Sequence, residues 1–384
     1  MGVASGCRRT WFGLLALTVV IAATDEPAWA SREGTTRQPA GSDVPVEVRD
    51  LAHVAAVSGG EFTGYALRPD GKVLAWGFGE AGELGDNKRS DSDVPVEVHG
   101  LSAVVAIAGG YYAAYAVRRD GTVWAWGEGG SGQLENNDMP VRVGRLTEVV
   151  AVAGSQFTGY ALRRDGTVWA WGGFGGYGLL GDGSRSNSEV PVEVHGLRGV
   201  VAIAGGYYTG YALRRDGTVW AWGEGGSGQL GNGSKVANSD VPVAVRGLTG
   251  VVAISAGYYT AYALRRDGTV WAWGEGGSGQ LGNGMYSNSD VPVKVSSLTS
   301  VKAVAGGYYT GYALRRDGTV WAWGEGAYGQ LGNGRQGISD VPVRVRDLSN
   351  VKAISGGDYA AYALRHNGTV WAWGEGAYGQ LGDG

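Results

Sequence analysis

Acidic and tyrosine side chains recur at fixed places in this sequence, and they are its main candidates for chemistry. A glutamate follows an A-W-G phrase at Glu128, Glu224, Glu275, Glu325 and Glu375. Further upstream in each repeat is a two-residue position whose first member changes between Glu61, Tyr111, Gln156, Tyr207, Tyr258, Tyr308 and Asp358. Carboxylates attract cations and transfer protons, whereas tyrosine offers a large contact area at little entropic cost.

The two members of each pair differ in how far they vary. The second member is aromatic in all seven copies, from Phe62 and Tyr112 to Tyr359, which is typical of a packing role. Packing does not dictate the first member, because its side chain changes in size and charge. We therefore expect the first members, together with the five glutamates, to form a partner-binding face.

The usual signals of catalysis and cofactor binding do not converge. Residues 223–228 spell G-x-G-x-x-G, but no helix follows of the kind that a dinucleotide site requires. The histidines His53, His99, His195 and His366 lie in different repeats, and Cys7 is the only cysteine. We predict a protein that is not an enzyme and that binds neither a cofactor nor a metal ion.

The elements that must position these side chains come in seven copies. The tryptophan of the A-W-G phrase recurs with spacings of 50, 45, 51, 51, 50 and 50 residues, at Trp76, Trp126, Trp171, Trp222, Trp273, Trp323 and Trp373. So steady a period indicates one array of stacked units, although 384 residues would otherwise suggest two or three domains. These tryptophans are expected to pack one unit against the next.

Each repeat predicts four β-strands. In the fourth repeat V-V-A-I-A-G-G is followed by Y-Y-T-G-Y-A-L, then by T-V-W-A-W-G, and finally by a strand that contains Pro242. Asp216-Gly217 favours a two-residue hairpin turn, the proline favours an outer edge strand, and the small residues near Gly205 favour a crowded axis. The sequence therefore predicts an all-β fold, a seven-bladed β-propeller of four-stranded antiparallel blades.

The two ends of the chain complement each other. V-P-V at Val44, Pro45 and Val46 is an outer strand without its own blade, and the last repeat stops before its outer strand. Pairing the N-terminal strand with the C-terminal blade would close the ring and remove an exposed sheet edge. Strand parity then places the first and third connections of every blade on one side, which we call the loop face, and the R-R-D-G turns on the opposite side.

The N-terminus and the composition indicate export. Arg8, Arg9, an apolar run and Ala28-Trp29-Ala30 form a secretory signal peptide over residues 1–30, read by the Sec or the twin-arginine route. A short tail (31–42) and a single propeller domain (43–384) follow. A net charge of −4 gives no nucleic-acid footprint, and no apolar stretch would hold the cleaved chain in a membrane. The expected location is secreted, periplasmic or at the cell surface.

The repeated phrases resemble the regulator of chromosome condensation (alpha-tubulin suppressor-like) repeat family. The match carries V-x-x-I-x-x-G, A-L, D-G-T-V, W-G, G-Q-L-G-N-G and a P-V strand over about residues 43–384. The resemblance implies a seven-bladed propeller and a regulatory role: members are exchange factors for a small GTPase, ubiquitin-ligase modules, or signalling or secreted modules. This chain departs from the family where a histidine is usual and carries Thr63, Ala113, Thr158, Thr209, Thr260, Thr310 and Ala360 instead.

Three functions are open at this point. The first is an exported, non-catalytic protein-binding scaffold, by analogy with secreted propeller-type β-lactamase inhibitors an enzyme inhibitor, whose partner is a secreted or periplasmic enzyme. The second is a lectin-like binder of glycan or cell wall. The third is exchange-factor-like activity implied by the family, which the export signal and the missing histidines disfavour.

Overall fold

The computed structural model describes residues 41–129, 137–174, 176–234 and 238–384. Within these residues the strands form seven antiparallel sheets of four strands each, and the all-β, seven-bladed propeller is confirmed. None of these residues belongs to a helix long and apolar enough to cross a bilayer. The predicted signal peptide, and the tail up to residue 40, lie outside the described residues.

The two inner positions of each blade are occupied by short strands: the second strands are almost fully buried, whereas the innermost strands are buried only towards their C-terminal ends. The innermost strands are β2 (Ala56–Gly59), β6 (Val104–Gly109), β10 (Val149–Gly154), β14 (Val200–Gly205), β18 (Val251–Ala256), β22 (Val301–Gly306) and β26 (Val351–Gly356). The second strands are β3 (Thr63–Leu67), β7 (Ala113–Arg118), β11 (Thr158–Arg163), β15 (Thr209–Arg214), β19 (Thr260–Arg265), β23 (Thr310–Arg315) and β27 (Ala360–Arg365).

The two outer positions carry the tryptophan and the proline phrases. The third strands are β4 (Val73–Gly77), β8 (Val123–Gly127), β12 (Val168–Gly172), β16 (Val219–Glu224), β20 (Val270–Gly274), β24 (Val320–Gly324) and β28 (Val370–Gly374). The outermost strands are β1 (Ser42–Glu47), β5 (Ser92–Glu97), β9 (Asn137–Arg142), β13 (Ser188–Glu193), β17 (Asn238–Ala244), β21 (Ser289–Lys294) and β25 (Ser339–Arg344). Each proline strand is therefore a sheet edge, where its missing N–H leaves no partner unpaired.

Small residues let the innermost strands approach one another around the axis. Each innermost strand contacts those of both neighbouring blades. A Cβ atom added to Gly205 would lie 2.3 Å from the carbonyl oxygen of Gly154 in the preceding blade, and one added to Gly109 would lie 2.4 Å from that of Gly59. A side chain would clash at these positions, which explains why six of the seven innermost strands end in glycine, whereas β18 ends in the small residue Ala256.

A tryptophan and a tyrosine meet at every junction between blades. The seven A-W-G tryptophans are each 0% exposed. Each packs edge-to-face on the second-strand tyrosine of the preceding blade, at centroid distances of 5.7–6.1 Å and interplanar angles of 76–83°. Aromatic pairs favour this geometry, which brings the positive ring edge to the negative ring face.

One backbone carbonyl fixes both rings of such a pair. The carbonyl of Gln229 accepts hydrogen bonds from the Tyr211 hydroxyl and from the Trp273 indole N–H, both at 2.9 Å. Glu83 has the same role between Tyr65 and Trp126, at 3.1 and 2.8 Å. The blade-to-blade contact thus joins buried area to two directional bonds.

The Asp-Gly turn is one residue longer than the two-residue turn predicted above. Arg214 pairs with Thr218 through its N–H (2.9 Å), so the loop comprises Arg215, Asp216 and Gly217, and Gly217 closes it at φ +82°. The Asp216 carboxylate accepts the Thr218 amide at 2.9 Å and the Thr218 hydroxyl at 2.7 Å. A three-residue loop ending in a left-handed glycine gives the carboxylate room to make both bonds.

The N-terminal strand closes the ring as predicted. β1 pairs with β28, with Val46 opposite Ala372 and Glu47 opposite Trp371. On the other side of this blade, the Trp76 indole donates to the carbonyl of Gln380 at 3.0 Å. The Tyr362 hydroxyl donates to the same carbonyl at 2.9 Å, so the seam repeats the contact described at Gln229 and Glu83.

We predict that Trp222→Ala lowers the free energy of unfolding by about 3–5 kcal/mol, because it empties a buried junction and leaves the carbonyl of Leu179 without its indole donor. The matched control is Trp220→Ala in the same strand. Its half-buried ring lies under the guanidinium of Arg214 at 4.7 Å, so roughly 1–2 kcal/mol is expected. Chemical denaturation of the two variants measures both, and equal losses would contradict the junction role.

Candidate functional site

The first members of the seven pairs meet around the axis on the loop face, and they are mostly buried. Glu61 and Asp358 are each 1% exposed, and Tyr207 is 0% exposed. Tyr111, Gln156 and Tyr258 are also buried, and Tyr308 is half-buried. The structure thus brings all seven together, but as packed lining of the axis. Their side chains are largely closed to a partner, and their role in binding stays a prediction.

The axial tyrosines form an arc of tilted, touching rings that backbone hydrogen bonds hold. The ring of Tyr258 lies 4.5 Å from the rings of both Tyr207 and Tyr308. The Tyr207 N–H donates to the carbonyl of Tyr258 at 3.2 Å, and the Tyr258 N–H donates to that of Tyr308 at 3.1 Å. Hydrogen bonds between neighbouring blades therefore fix the positions of these first members.

Two carboxyl groups close the same ring. No carboxyl oxygen of Glu61 or Asp358 accepts a hydrogen bond of standard geometry. Burial raises the pKa of both groups well above their usual range, and the neighbouring charge of Asp358 raises the pKa of Glu61 further, while the nearby Tyr111 hydroxyl lowers it in part. The fold therefore favours the protonated, uncharged form of each.

The second members surround this ring and pack on one another. Phe62 stacks on Tyr359 at 5.3 Å with an interplanar angle of 5°, and Phe157 stacks on Tyr208 at 5.7 Å and 10°. Phe62, Tyr208 and Tyr359 are buried, and the others are half-buried. This second ring supports the axial one and leaves part of its aromatic surface to solvent.

The loop glutamates lie outside the aromatic rings, and threonines fix them. The Thr310 hydroxyl donates to the carbonyl of Glu325 at 3.0 Å, and Thr209 and Thr260 bond Glu224 and Glu275 in the same way. The threonines that replace the family's histidine thus hold the start of the long loop. Glu128, Glu224, Glu275 and Glu325 are half-buried.

Glu375 differs from the other loop glutamates. It is 6% exposed, and burial raises its pKa to about 7. The corresponding Glu325 carboxylate accepts the N–H groups of Gly326 and Ala327, both at 3.1 Å. Glu375 accepts no such bonds from its own loop.

Three aromatic side chains of the long loops escaped the sequence interpretation. Phe174 is 44% exposed and stacks on Phe157 at 4.5 Å, and Tyr328 is 43% exposed. Tyr177 stacks on Tyr208 at 4.8 Å. The long loops that carry them were interpreted as glycine-rich turns. The available signal was the replacement of the serine found at Ser227 and Ser278 by Tyr177, Tyr328 and Tyr378.

Across the described parts of the chain, no three or more His, Cys, Asp or Glu side chains group in a way that could hold a metal ion. The G-x-G-x-x-G phrase is a glycine-rich turn, with Gly223 at φ +102° and Gly228 at φ +89°. What the arrangement can do is bind: it combines flat aromatic surface with carboxylates on a rigid ring.

The buried acid pair predicts a stability that falls with rising pH. Because the folded pKa values are raised, the folded state binds more protons than the unfolded chain, whose values are about 4. This contribution is complete below about pH 4 and is lost as the pH rises through the folded pKa values. We expect Asp358→Asn to raise the denaturation midpoint at pH 8 and to flatten its decline between pH 5 and 8.

A turn aspartate provides the control for this experiment. Asp216 is exposed, and the Thr218 side chain and backbone lower its pKa, so Asp216→Asn should not change the slope above pH 5. A parent protein as stable at pH 8 as at pH 5, or an Asp358→Asn variant that follows the parent curve, would contradict the assignment.

Comparison with known proteins agrees with this architecture. The family model described as the RCC1-like domain matches residues 136–384, and that of the regulator of chromosome condensation (RCC1) repeat matches residues 70–117 and 104–133. The human E3 ubiquitin-protein ligase HERC2 is 36% identical over 118 residues, 29% of this chain and 2% of that protein. The mitochondrial protein RUG3 of Arabidopsis thaliana is 37% identical over 107 residues, 27% of this chain and 24% of its own. The matches therefore span no more than about a quarter of either relative.

Solved structures extend the likeness to the whole ring. Prp20p of Saccharomyces cerevisiae superimposes with a TM-score of 0.72 at 22% identity, over 84% of this chain and 82% of that one. Human WBSCR16 does so with a TM-score of 0.74 at 21% identity, over 86% and 88%. At these identities the superpositions support the fold alone. The match to residues 136–384 covers more than half of the sequence, and the chain belongs to the RCC1-like domain family.

Proposed function

We propose that this protein is an exported, non-catalytic scaffold that captures another protein on its loop face. The observation that carries the proposal is the exposed aromatic surface beside carboxylates, with Phe174 and Tyr328 each more than two-fifths exposed on a rigid ring. Aromatic side chains of this kind dominate the binding energy of protein interfaces, because they bury much area and lose few rotamers.

Proteins of similar fold supply further support. Prp20p has been crystallised and described with its binding properties to Gsp1p and histones, and it has also been crystallised with Kap60 bound. Those partners belong to Prp20p. For this chain the signal-like N-terminus favours a partner outside the cytoplasm, and we infer a secreted or periplasmic enzyme that the ring inhibits by covering one of its surfaces.

A glycan is the second candidate ligand. Phe174, Phe157 and Tyr208 stack with interplanar angles of 20° and 10°, and Phe174 presents a flat exposed ring to solvent. Sugar rings stack on such surfaces. One such stack would provide a single weak sugar site on the propeller. A protein interface would need a larger contact surface than this stack alone.

Capture experiments distinguish these functions. We expect the immobilised protein to retain one protein from secreted and periplasmic fractions, β-lactamases included, and the Phe174→Ala/Tyr328→Ala variant to lose at least tenfold in affinity. Val252→Ala is the matched control, because Val252 is 42% exposed on β18. The axial tyrosines Tyr207 and Tyr258 are poor targets, since removing buried rings would damage the fold.

The other outcomes are equally informative. Retention on purified cell wall or glycan, with no protein captured, would move the glycan function to first place. Acceleration of nucleotide release from a small GTPase would instead support the exchange activity that the family suggests.

Export has its own measurement. We expect mature protein outside the cytoplasm to begin at Ser31, after cleavage behind Ala30. Mass spectrometry of the intact protein determines its first residue. Full-length protein confined to the cytoplasm would contradict export and with it the choice of partner.

A further inference from the structure

A small pocket opens on the loop face where the sixth blade meets the seventh. It encloses about 130 Å³ and is lined by Gly41, Asp43, Ala327, Tyr328, Gln336 and Glu375. The long loop of the sixth blade provides the aromatic wall, whereas the closing strand β1 and the loop of the seventh blade provide two carboxylates. The pocket therefore lies on the seam of the ring.

The carboxylates of this pocket lack partners of their own. Glu375 is only 6% exposed, lines the cavity, and takes part in none of the side-chain hydrogen bonds of the described residues. The ion pairs within the described part of the chain leave out both Asp43 and Glu375. A buried carboxylate without a donor is costly, so a cation in this pocket would gain from both groups.

Tyr328 gives the pocket a flat wall. Its ring is 43% exposed and packs edge-to-face on Tyr359 at 5.7 Å, which holds it in place. The junction between the fifth and sixth blades has Ser278 in place of Tyr328. The glutamate that corresponds there to Glu375 is Glu325, which already accepts hydrogen bonds from backbone N–H groups. The combination of an aromatic wall with free carboxylates thus distinguishes the seam from its neighbour.

We propose that this pocket binds a guanidinium group, presented by an arginine side chain of the protein captured on the loop face. This assignment rests on the proposed function. A guanidinium is planar, stacks on aromatic rings, and donates paired hydrogen bonds to carboxylates, whereas an ammonium group is a compact charge that uses neither the flat wall nor the fork.

Protonation of Glu375 makes the binding pH-dependent. Burial raises the pKa of this carboxyl to about 7, so part of the population is uncharged at neutral pH. A bound cation favours the ionised form. Between pH 8 and pH 6 the ionised fraction of such a group falls about tenfold, and the affinity should fall with it.

The test titrates N-acetylarginine amide into the full chain at pH 8 by calorimetry. We expect saturable binding in the millimolar range, at least tenfold weaker in both Glu375→Gln and Tyr328→Ser. The second change installs the serine that the neighbouring seam carries. Glu97→Gln is the control and should bind within twofold of the parent, because Glu97 lies on the outermost strand β5 and pairs with Lys72 at 2.9 Å, away from this pocket. The neutral isostere N-acetylcitrulline amide should not bind, and the lysine analogue should bind at least fivefold more weakly.

Several results would overturn the assignment. Equal binding of the citrulline analogue, or unchanged binding in Glu375→Gln, would remove the role of the carboxylates. Arg37 precedes Gly41 by only four residues in sequence. A tenfold gain in affinity on Arg37→Ala would identify the chain's own arginine as the occupant and exclude the partner's.

The two proposals fail separately. If the arginine probe binds but no protein is captured, the scaffold function fails and the partner's arginine fails with it. If a protein is captured and its binding is unchanged in Glu375→Gln and Tyr328→Ser, the scaffold function stands and the guanidinium assignment fails.

Discussion

The sharing of one backbone carbonyl between two blades is the interaction on which the rest of this propeller depends. A carbonyl oxygen has two lone pairs, and at Gln229 one accepts the tyrosine hydroxyl of its own blade while the other accepts the tryptophan of the next. The Gln229 side chain in turn accepts the N–H of Ser227 at 2.8 Å, and Gly231 at φ +60° turns the chain beyond it. The long loop is therefore fixed at its middle. Its flanking residues, including the glutamates and the exposed tyrosines, take their places from that point.

Much of the fold could be predicted from the sequence because the same structural constraints occur in each of the seven repeats. Proline in every outermost strand, glycine at the end of six of the seven innermost strands and tryptophan at one pleat position of the third strand each fit only one place in a blade. The length of the Asp-Gly turn was missed by one residue, since the carboxylate bonds that decide it involve Thr218, which also reads as the start of a strand.

The candidate site was less predictable, because a position that varies between repeats can be either exposed to solvent or buried at the ring axis. Glu61, Gln156 and Asp358 replace tyrosine, and this variation indicated exposure, whereas the blades bring the seven positions so close at the axis that six of them are buried. Sequence patterns report the pleat of one strand and not the convergence of seven blades. Tyr328 was overlooked because a glycine-rich loop suggests a plain turn without a defined side-chain position. The shared backbone carbonyl instead fixes the loop, so that it holds the tyrosine in one place. Burial raises the pKa of Glu61 and Asp358 and so favours their uncharged forms, which makes the loop face less acidic than its composition suggests.

The seam has a consequence for how the ring holds together. Ser42 meets Gly374 across about 330 residues of intervening chain, so this pairing carries the largest loop-closure entropy of any strand pairing in the fold and is the natural place for the ring to open. The pocket at this seam is built from both sides of it, with Asp43 from the first strand and Tyr328 and Glu375 from the last two blades. A ligand can bind there only while the ring is closed. Its binding free energy therefore adds to the free energy of ring closure. A ligand in this cavity of 130 Å³ would thereby lower the frequency with which the whole propeller opens at the β1–β28 pairing.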